Sequence, residues 1–399
     1  MVNKEGNMIR VLQVLGGTSL GGAESRIMDL YRHMDRDRIQ FDFLVSRGKT
    51  GHFDTEIESL GGHVYTIPRY RIHNHKIYVK EVKDFFAQHS DYAAVHGHIT
   101  STASIYLPIA KKAGIPFTIA HARSAGVDSG IKGILTNILR RKLPSRCDKM
   151  IACSDLAAKA VFGEHSYSDG LVKIMPNAVD VNDYAVNSII RDSVRREYGI
   201  EDRFVVGHTG SFREAKNHRF LIELFAEYVN MRNDAVLMMV GAGALMEDMK
   251  SLVNELDTKA ISSGKESVKD KIIFTGEKSP ISPFYQAFDT LVFPSLYEGM
   301  PGTVVEAQAA GLRCLVSDRV TRQVKVTDLV EFESLNKNAL QWAEKLHSIY
   351  GMTSAVELWN ERNSENSVIQ QLMKDSDYDV NNQVAYYTDL YTKGMDENR

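Results

Sequence analysis

Thr290-Leu291-Val292-Phe293-Pro294-Ser295-Leu296-Tyr297-Glu298-Gly299-Met300-Pro301-Gly302-Thr303-Val304-Val305-Glu306-Ala307-Gln308-Ala309-Ala310-Gly311 holds a strand, a loop and a helix in one run. The short apolar segment Thr290–Phe293 reads as a strand. Gly299 to Gly302 form a flexible turn whose N–H groups can face a ligand. A helix then opens near Thr303 and carries Glu306 in its second turn. Glu298 and Glu306 are separated by seven residues, so one carboxylate precedes the helix and one rides on it. The positive end of the helix dipole lies between them and attracts an anion. Two acids beside an anion site conflict unless the acids bind hydroxyls. Carboxylates accepting from vicinal sugar hydroxyls, with a phosphate on the amides, resolve the conflict and describe a nucleotide-sugar site.

The same alternation runs outward in both directions. In the first half, apolar, β-branched runs at Met8–Leu15, Phe41–Val45, Val64–Ile67, Ala93–Val95, Phe117–His121, Lys149–Cys153 and Val172–Met175 predict strands. Helical periodicity fills the intervals, as at Ala23–Met34, Tyr78–Gln88 and Ser101–Ala113. The rhythm restarts near Arg203, with strands at Phe204–Thr209, Ala235–Val240, Lys271–Phe274, Thr290–Phe293 and Arg313–Val316. The polar stretch Asp180–Asp202 has no strand character and reads as a hinge. A chain of 399 residues suits two domains. The expected fold class is α/β, with two doubly wound, Rossmann-like domains facing a cleft. Residues 1–187 make the first domain and 188–376 the second, while 377–399 returns as a helix to the first. Ligands in such sheets lie at the carboxyl ends of the strands, so the strand-to-helix loops are where chemistry is sought.

Three further loops qualify. Gly16-Gly17-Thr18-Ser19-Leu20-Gly21-Gly22-Ala23-Glu24 lets backbone approach an anion at a helix start. Its glycines do not fall at i, i+2 and i+5, and Ser46 and Arg47 follow Val45 where a dinucleotide site needs an acid. A nicotinamide dehydrogenase is therefore excluded. In Gly210-Ser211-Phe212-Arg213-Glu214-Ala215-Lys216-Asn217, a guanidinium and an ammonium three residues apart can both reach a diphosphate. Gly241-Ala242-Gly243 is a half-motif that strand–helix packing explains equally well.

Composition narrows the class. Apolar residues at 43% and charged residues at 25% describe an ordinary globular chain, which excludes collagen, coiled coil and disorder. No run approaches the ~18 apolar residues of a membrane-spanning helix, and Met1–Asn7 lacks a signal-peptide pattern. Cys147, Cys153 and Cys314 support neither a disulfide framework nor a cysteine zinc site, so a cytoplasmic location is expected. Residues 1–180 hold 24 basic against 18 acidic side chains, whereas the remainder holds 24 against 33. A basic front suits an anionic partner, although attraction between the halves explains it as well. His73/His75 and His96/His98 have i, i+2 spacing, but strand and loop histidines are far more often simply polar, so no metal site is expected.

End to end, these motifs resemble the retaining GT-B glycosyltransferases of family 4, and within them the bacterial exopolysaccharide and capsule enzymes. The E-x7-E element, the first glycine loop, Met175-Pro176-Asn177-Ala178-Val179-Asp180, Gly210 to His218, and Tyr378-Asp379-Val380 fall in family order. The resemblance implies that Glu306 accepts from ribose hydroxyls and that Glu298 lies beside the donor sugar near the reacting carbon. It implies further that amides from Gly299, Met300, Pro301, Gly302, Thr303 and Val304 flank sugar and diphosphate, as far as each has an N–H. Lys216 matches the diphosphate lysine, Gly21 and Gly22 match the loop approaching the diphosphate, and His121 matches the histidine facing the sugar. The family's arginine five residues before that lysine is Ser211 here, and Arg213 is the substitute cation. Catalysis is expected without metal or other cofactor, the donor being a UDP- or GDP-sugar. The acceptor is expected to be a saccharide on a polyprenyl diphosphate; no nucleic-acid partner is expected. A non-hydrolysing nucleotide-sugar epimerase and a non-catalytic nucleotide-sugar-binding subunit remain as alternatives.

One helix suggests where such an acceptor is met. Across Ile131–Arg146, the residues Ile131, Ile134, Leu135, Ile138 and Leu139 recur at helical spacing. Lys132, Arg140, Arg141, Lys142 and Arg146 add five positive charges with no acid among them. Such a helix can lie among anionic headgroups at the inner face of the membrane, or pack on the sheet as a crossover with its charges solvated.

Overall fold

The computed structural model describes residues 8–46, 48, 51–126 and 130–393, with backbone alone at 131, 132 and 393. Met1–Asn7 and Arg47 lie outside these residues. The chain divides into two compact units: unit 1 runs to Ala178 and resumes at Val380, and unit 2 is Val179–Asp379.

Unit 1 contains β1 (Ile9–Leu15), β2 (Ile39–Ser46), β3 (Val64–Ile67), β4 (Ala94–Gly97), β5 (Phe117–Ala122), β6 (Lys149–Ala152) and β7 (Val172–Ile174). They form a parallel sheet in the order β3-β2-β1-β4-β5-β6-β7. Residues of β1 and β2 are almost all buried, because helices cover both faces of a parallel sheet. One face packs Val11, Phe41 and Phe43 against Tyr31 of the helix Gly22–His33 and against Tyr387 and Tyr391. The last two belong to the helix Val380–Lys393, so the C-terminal helix completes the core of unit 1.

Unit 2 contains β8 (Phe204–Thr209), β9 (Ala235–Val240), β10 (Ile272–Gly276), β11 (Thr290–Phe293), β12 (Cys314–Ser317) and β13 (Val330–Glu333). Their order is β10-β9-β8-β11-β12-β13, again parallel. The β13 sequence Val-Glu-Phe-Glu carries two acids in four residues, which hid this strand from an apolar-run reading.

The polar stretch read as a hinge contains a helix, Ser188–Tyr198, and unit 2 begins before it, at Val179. Its charges mislead because they are paired inside the unit. Arg191 and Arg195 reach the two oxygens of Asp289 at 2.8 and 2.7 Å, and all three side chains are buried. Asn187 caps the helix by accepting from the Ile190 N–H, and Gly199 ends it in the left-handed region.

Each sheet has one point where strand order reverses: between β1 and β4 in unit 1, and between β8 and β11 in unit 2. Loops leaving the carboxyl ends there diverge to opposite faces and leave a crevice, the place where open α/β sheets bind ligands.

Candidate functional site

In unit 2 the loops after β8 and β11 flank that crevice and are stitched together. The Leu296 N–H donates to the Ala215 carbonyl at 2.9 Å, and the Asn217 side-chain amide donates to the Pro294 carbonyl at 3.1 Å. Asn217 holds φ of 55°, a left-handed conformation asparagine tolerates, and so turns the chain into the helix His218–Tyr228. The stitching brings Lys216 to Glu298, with Nζ 2.8 Å from Oε1 and side chains only 8% and 16% exposed. Burial depresses the Lys216 ammonium, and Glu298 pulls it back toward the charged form. Nζ also lies 4.5 Å from the centre of the Phe293 ring. Arg213 is the looser neighbour, 3.7 Å from the same carboxylate oxygen and largely exposed. Lys216 is thus half of an ion pair, and an incoming diphosphate has to share it with Glu298.

The second acid is held from below. The helix Gly302–Ala309 places Glu306 in its second turn, 8% exposed, which rules out a solvated helix residue. Tyr285 donates to Glu306 Oε2 at 2.6 Å, and its oxygen lies 2.7 Å from Thr209 Oγ1. Thr209 Oγ1 is also 3.3 Å from Thr303 Oγ1, so β8, the Tyr285 helix and the first turn of the Glu306 helix share one network. Burial, reinforced by Glu306, pushes the Tyr285 phenol far up, so it keeps its proton and remains a donor. Met300 is buried and Tyr378 contacts its sulfur, which places the Tyr378-Asp379 motif under the glycine turn. Tyr285 carries no local signal; it lies 21 positions before its partner in a short helix that also reads as ordinary core.

The loop Gly241-Ala242-Gly243 packs against the Gly210 loop, a loop-to-loop contact and not the strand–helix packing its half-motif offered. Phe212 donates to the Ala242 carbonyl at 3.0 Å. Gly241 has φ of 146°, and a Cβ there would stand 2.1 Å from the Gly210 carbonyl oxygen. Ser211 is exposed.

In unit 1 the helix Gly22–His33 opens at Gly21, with Glu24 in its first turn. A Cβ at Gly21 would meet the Glu24 carboxylate at 2.3 Å, so glycine there makes room for that acid to fold back over the helix start. Burial raises the Glu24 carboxyl above the usual carboxylate range. An anion approaching this loop meets Glu24, which the glycine pattern alone did not reveal. Nothing lies near a Cβ at Gly22.

His121 is fully buried at the end of β5, and the ring nitrogens of His96, His98 and His121 gather within 4.8 Å. His96 Nε2 is 3.1 Å from His121 Nδ1, and Arg123 Nε donates to His98 Nδ1 at 3.2 Å. Burial first, then the Arg123 charge at His96 and His121 and the neighbouring His96 ahead of Arg123 at His98, drives all three imidazoles well below their usual range, so they are neutral. Arg123 also donates to Asn177 Oδ1 at 3.4 Å, anchoring the Met175–Asp180 motif.

The helix predicted across Ile131–Arg146 runs from Gly130 to Arg141, and the side chains of Ile131 and Lys132 lie outside the described residues. Its apolar residues divide rather than form one stripe. Ile134 and Ile138 are 63% and 47% exposed, whereas Leu135 and Leu139 line a cavity of about 1060 Å³ at the carboxyl ends of β1 to β4. Arg140 is buried and donates to the Gly126 carbonyl, and Arg146 donates to Ser104; Arg141 and Lys142 remain exposed. No helix among the described residues is long and apolar enough to cross a membrane.

Comparison with known proteins agrees with this architecture. Residues 20–183 match the model of Glycosyltransferase Family 4, and residues 203–351 match that of Glycosyl transferases group 1. The putative glycosyltransferase EpsF of Bacillus subtilis (strain 168) is 32% identical over 342 residues, covering 84% of this chain and 86% of that protein. The UDP-Gal:alpha-D-GlcNAc-diphosphoundecaprenol alpha-1,3-galactosyltransferase of Escherichia coli is 26% identical over 234 residues, 57% of this chain and 58% of its own. The crystal structure of Anabaena Alr3699/HepE in complex with UDP and glucose has the same fold, with a TM-score of 0.73 and 18% identity over 95% of this chain and 99% of that one. Two parallel sheets in these strand orders, an E-x7-E element at one switch point and a relative alike over most of its length identify an enzyme: the chain belongs to the family 4 glycosyltransferases and has their two-domain GT-B fold.

Proposed function

We propose that this enzyme moves a hexose, with retention and without a metal ion, from a nucleoside-diphosphate hexose to a hydroxyl of a lipid-linked saccharide in surface-polysaccharide assembly. The observation that carries this reading is the Lys216–Glu298 pair beside the Tyr285-held Glu306 at the unit 2 switch point. Charge that grows on the leaving diphosphate is met by Lys216 and the helix start at Gly302, groups held in place before the reaction, and by the more exposed Arg213. Glu306 accepts from ribose hydroxyls while Glu298 faces the sugar. No side chain is assigned as nucleophile, so the acceptor attacks on the face that the diphosphate leaves.

The acceptor falls to the unit 1 cavity. Arg69, Arg71 and His73 line one part and Tyr78, Leu135 and Leu139 another, a mixture that suits an anionic, partly apolar molecule. The Escherichia coli relative bears the name of such an acceptor. Reversible contact with the inner face of the membrane would use Ile134, Ile138, Arg141 and Lys142; two cations at about 1 kcal/mol each hold less firmly than the five in the sequence.

Thermal-shift screening against UDP- and GDP-hexoses identifies the donor, since a ligand at 100 times its Kd stabilises by about 2.7 kcal/mol. Transfer to a synthetic prenyl-diphosphate saccharide in EDTA, with the product's anomeric configuration read by NMR, tests the rest. Donor interconversion without acceptor would favour an epimerase, binding without turnover a regulatory subunit, and activity lost in EDTA but restored by Mg2+ a metal-dependent site. Sedimentation with anionic but not neutral liposomes is expected at low salt; equal partitioning, or none, would leave the helix a packing element.

A further inference from the structure

His121 Nε2 is a fully buried ring nitrogen with no hydrogen-bond partner among the described residues. Its Nδ1, by contrast, ends a chain of contacts across β1, β4, β5 and the C-terminal helix. Arg123 Nε reaches His98 Nδ1 at 3.2 Å, and His98 Nε2 reaches Gln13 Oε1 at 2.9 Å. Gln13 Nε2 reaches the Tyr391 hydroxyl at 3.4 Å. That hydroxyl is 2.7 Å from His96 Nδ1, and His96 Nε2 is 3.1 Å from His121 Nδ1. Gln13, His96, His121 and Tyr391 are at most 1% exposed, so water does not supply alternatives.

The chain has one direction, because a guanidinium N–H can only donate. His98 Nδ1 must therefore accept, which places the single hydrogen of a neutral imidazole on Nε2, facing the oxygen of Gln13. The Gln13 NH2 group then faces Tyr391, whose oxygen accepts. The tyrosine hydrogen has one remaining partner, His96 Nδ1, and would otherwise be orphaned in the core at a cost of about 1–3 kcal/mol. His96 so carries its hydrogen on Nε2 and gives it to His121 Nδ1. His121 is left with its own hydrogen on Nε2.

We propose that Arg123, His98, Gln13, Tyr391 and His96 form a directional hydrogen-bond relay that fixes His121 as the Nε2–H tautomer, making it a donor to an oxygen of bound substrate and not a base. The identity of that oxygen rests on the function proposed above; the tautomer does not. The relay also decides between the two readings of the histidine cluster. Each lone pair it contains is already met by a donor and the other nitrogens carry hydrogen, so the three rings have no lone pair left for a cation. Tyr391, Gln13 and His96 are positioning residues, and only His121 is assigned to touch substrate.

The test is a long-range 1H–15N spectrum of the full-length, histidine-labelled protein near neutral pH, without substrate. His121 is expected to show a protonated Nε2 and a bare Nδ1; the opposite tautomer, or an imidazolium, overturns the relay. Tyr391→Phe keeps the ring and removes the hydroxyl that passes the direction on to His96. His121 should then populate the Nδ1–H form, and kcat should fall about two- to tenfold, the scale of one neutral hydrogen bond, with donor KM little changed. His121→Gln, which can still present an N–H, should retain more turnover than His121→Ala, and the wild-type pH profile should carry no acid limb that His121→Gln removes. An unaltered His121 tautomer in Tyr391→Phe overturns the relay even if activity falls. Should that variant not fold, the wild-type spectrum decides alone. A wild-type Nε2–H signal in a protein that transfers no sugar would leave the relay standing and remove the function.

Discussion

Replacing Glu298 by Gln tests the central charge arrangement, because it removes a negative charge and almost no volume. At 2.8 Å the pair's attraction is about 6 kcal/mol gross for an effective dielectric of about 20. Desolvation of both groups offsets most of that. Breaking a buried pair costs about 3–5 kcal/mol net, and the 16% exposure of Glu298 argues for the lower end, about 3 kcal/mol. The thermal transition of unit 2 should therefore fall by roughly 6–12 °C. The alkaline side has a definite sign. Burial already lowers the Lys216 pKa and Glu298 opposes that shift, so the variant should lose its ammonium at lower pH than the wild type. A nucleoside diphosphate returns the missing negative charge to Lys216. It should thus bind the variant at least as tightly as the wild type at neutral pH and restore much of the lost thermal stability, while turnover collapses. Thermal unfolding with and without UDP or GDP, calorimetric titration across pH 7 to 10, and donor turnover provide the readings. Unchanged stability, together with parallel losses of nucleotide affinity and turnover, would refute the pairing argument and return Lys216 to the role of an unshared diphosphate ligand.

Glu306→Ala should weaken donor binding by about 1.5–3 kcal/mol, the value of hydrogen bonds to a charged group, and leave the Tyr285 hydroxyl without its 2.6 Å acceptor; unaltered affinity by calorimetry would dismiss the ribose role. Gly241→Ala should destabilise unit 2 by at least ~1 kcal/mol and lower donor affinity, since the new Cβ must displace the Gly210 loop that leads to Lys216. Denaturant titration reads the first effect and nucleotide titration the second. Burial holds His208 at about 4 and His218 at about 2, below the ~6.5 of an unfolded chain. Below pH 6.5 the unfolded state binds protons that the folded state refuses, so stability falls as pH drops from 6.5 toward 4, by up to about 3 kcal/mol per histidine. His218→Phe should remove its share, and a flat stability profile between pH 7 and 4.5 would count against buried neutral rings.

Which elements exist, and which loop carries chemistry, was legible in the sequence because both are local properties. Apolar runs of strand length, helical periodicity and glycine turns act over a few residues, and Glu298 and Glu306 belong to one continuous strand–loop–helix unit. Charge in a short segment defeated the same reading twice. β13 carries two acids and was passed over, and Arg191 and Arg195 made the Ser188–Tyr198 helix resemble a solvated linker when Asp289, 98 positions from Arg191, neutralises them in the core. The tertiary structure alone decided who meets whom. Strand order places the β8 loop beside the β11 loop, and so turns Lys216 from an unattached cation into the partner of Glu298. It places Tyr285 under Glu306 and Tyr391 within reach of Gln13 from 378 positions away. A side chain's partner depends on which strands are neighbours, and that order is settled by how all the apolar faces are buried together, which no short stretch of sequence contains.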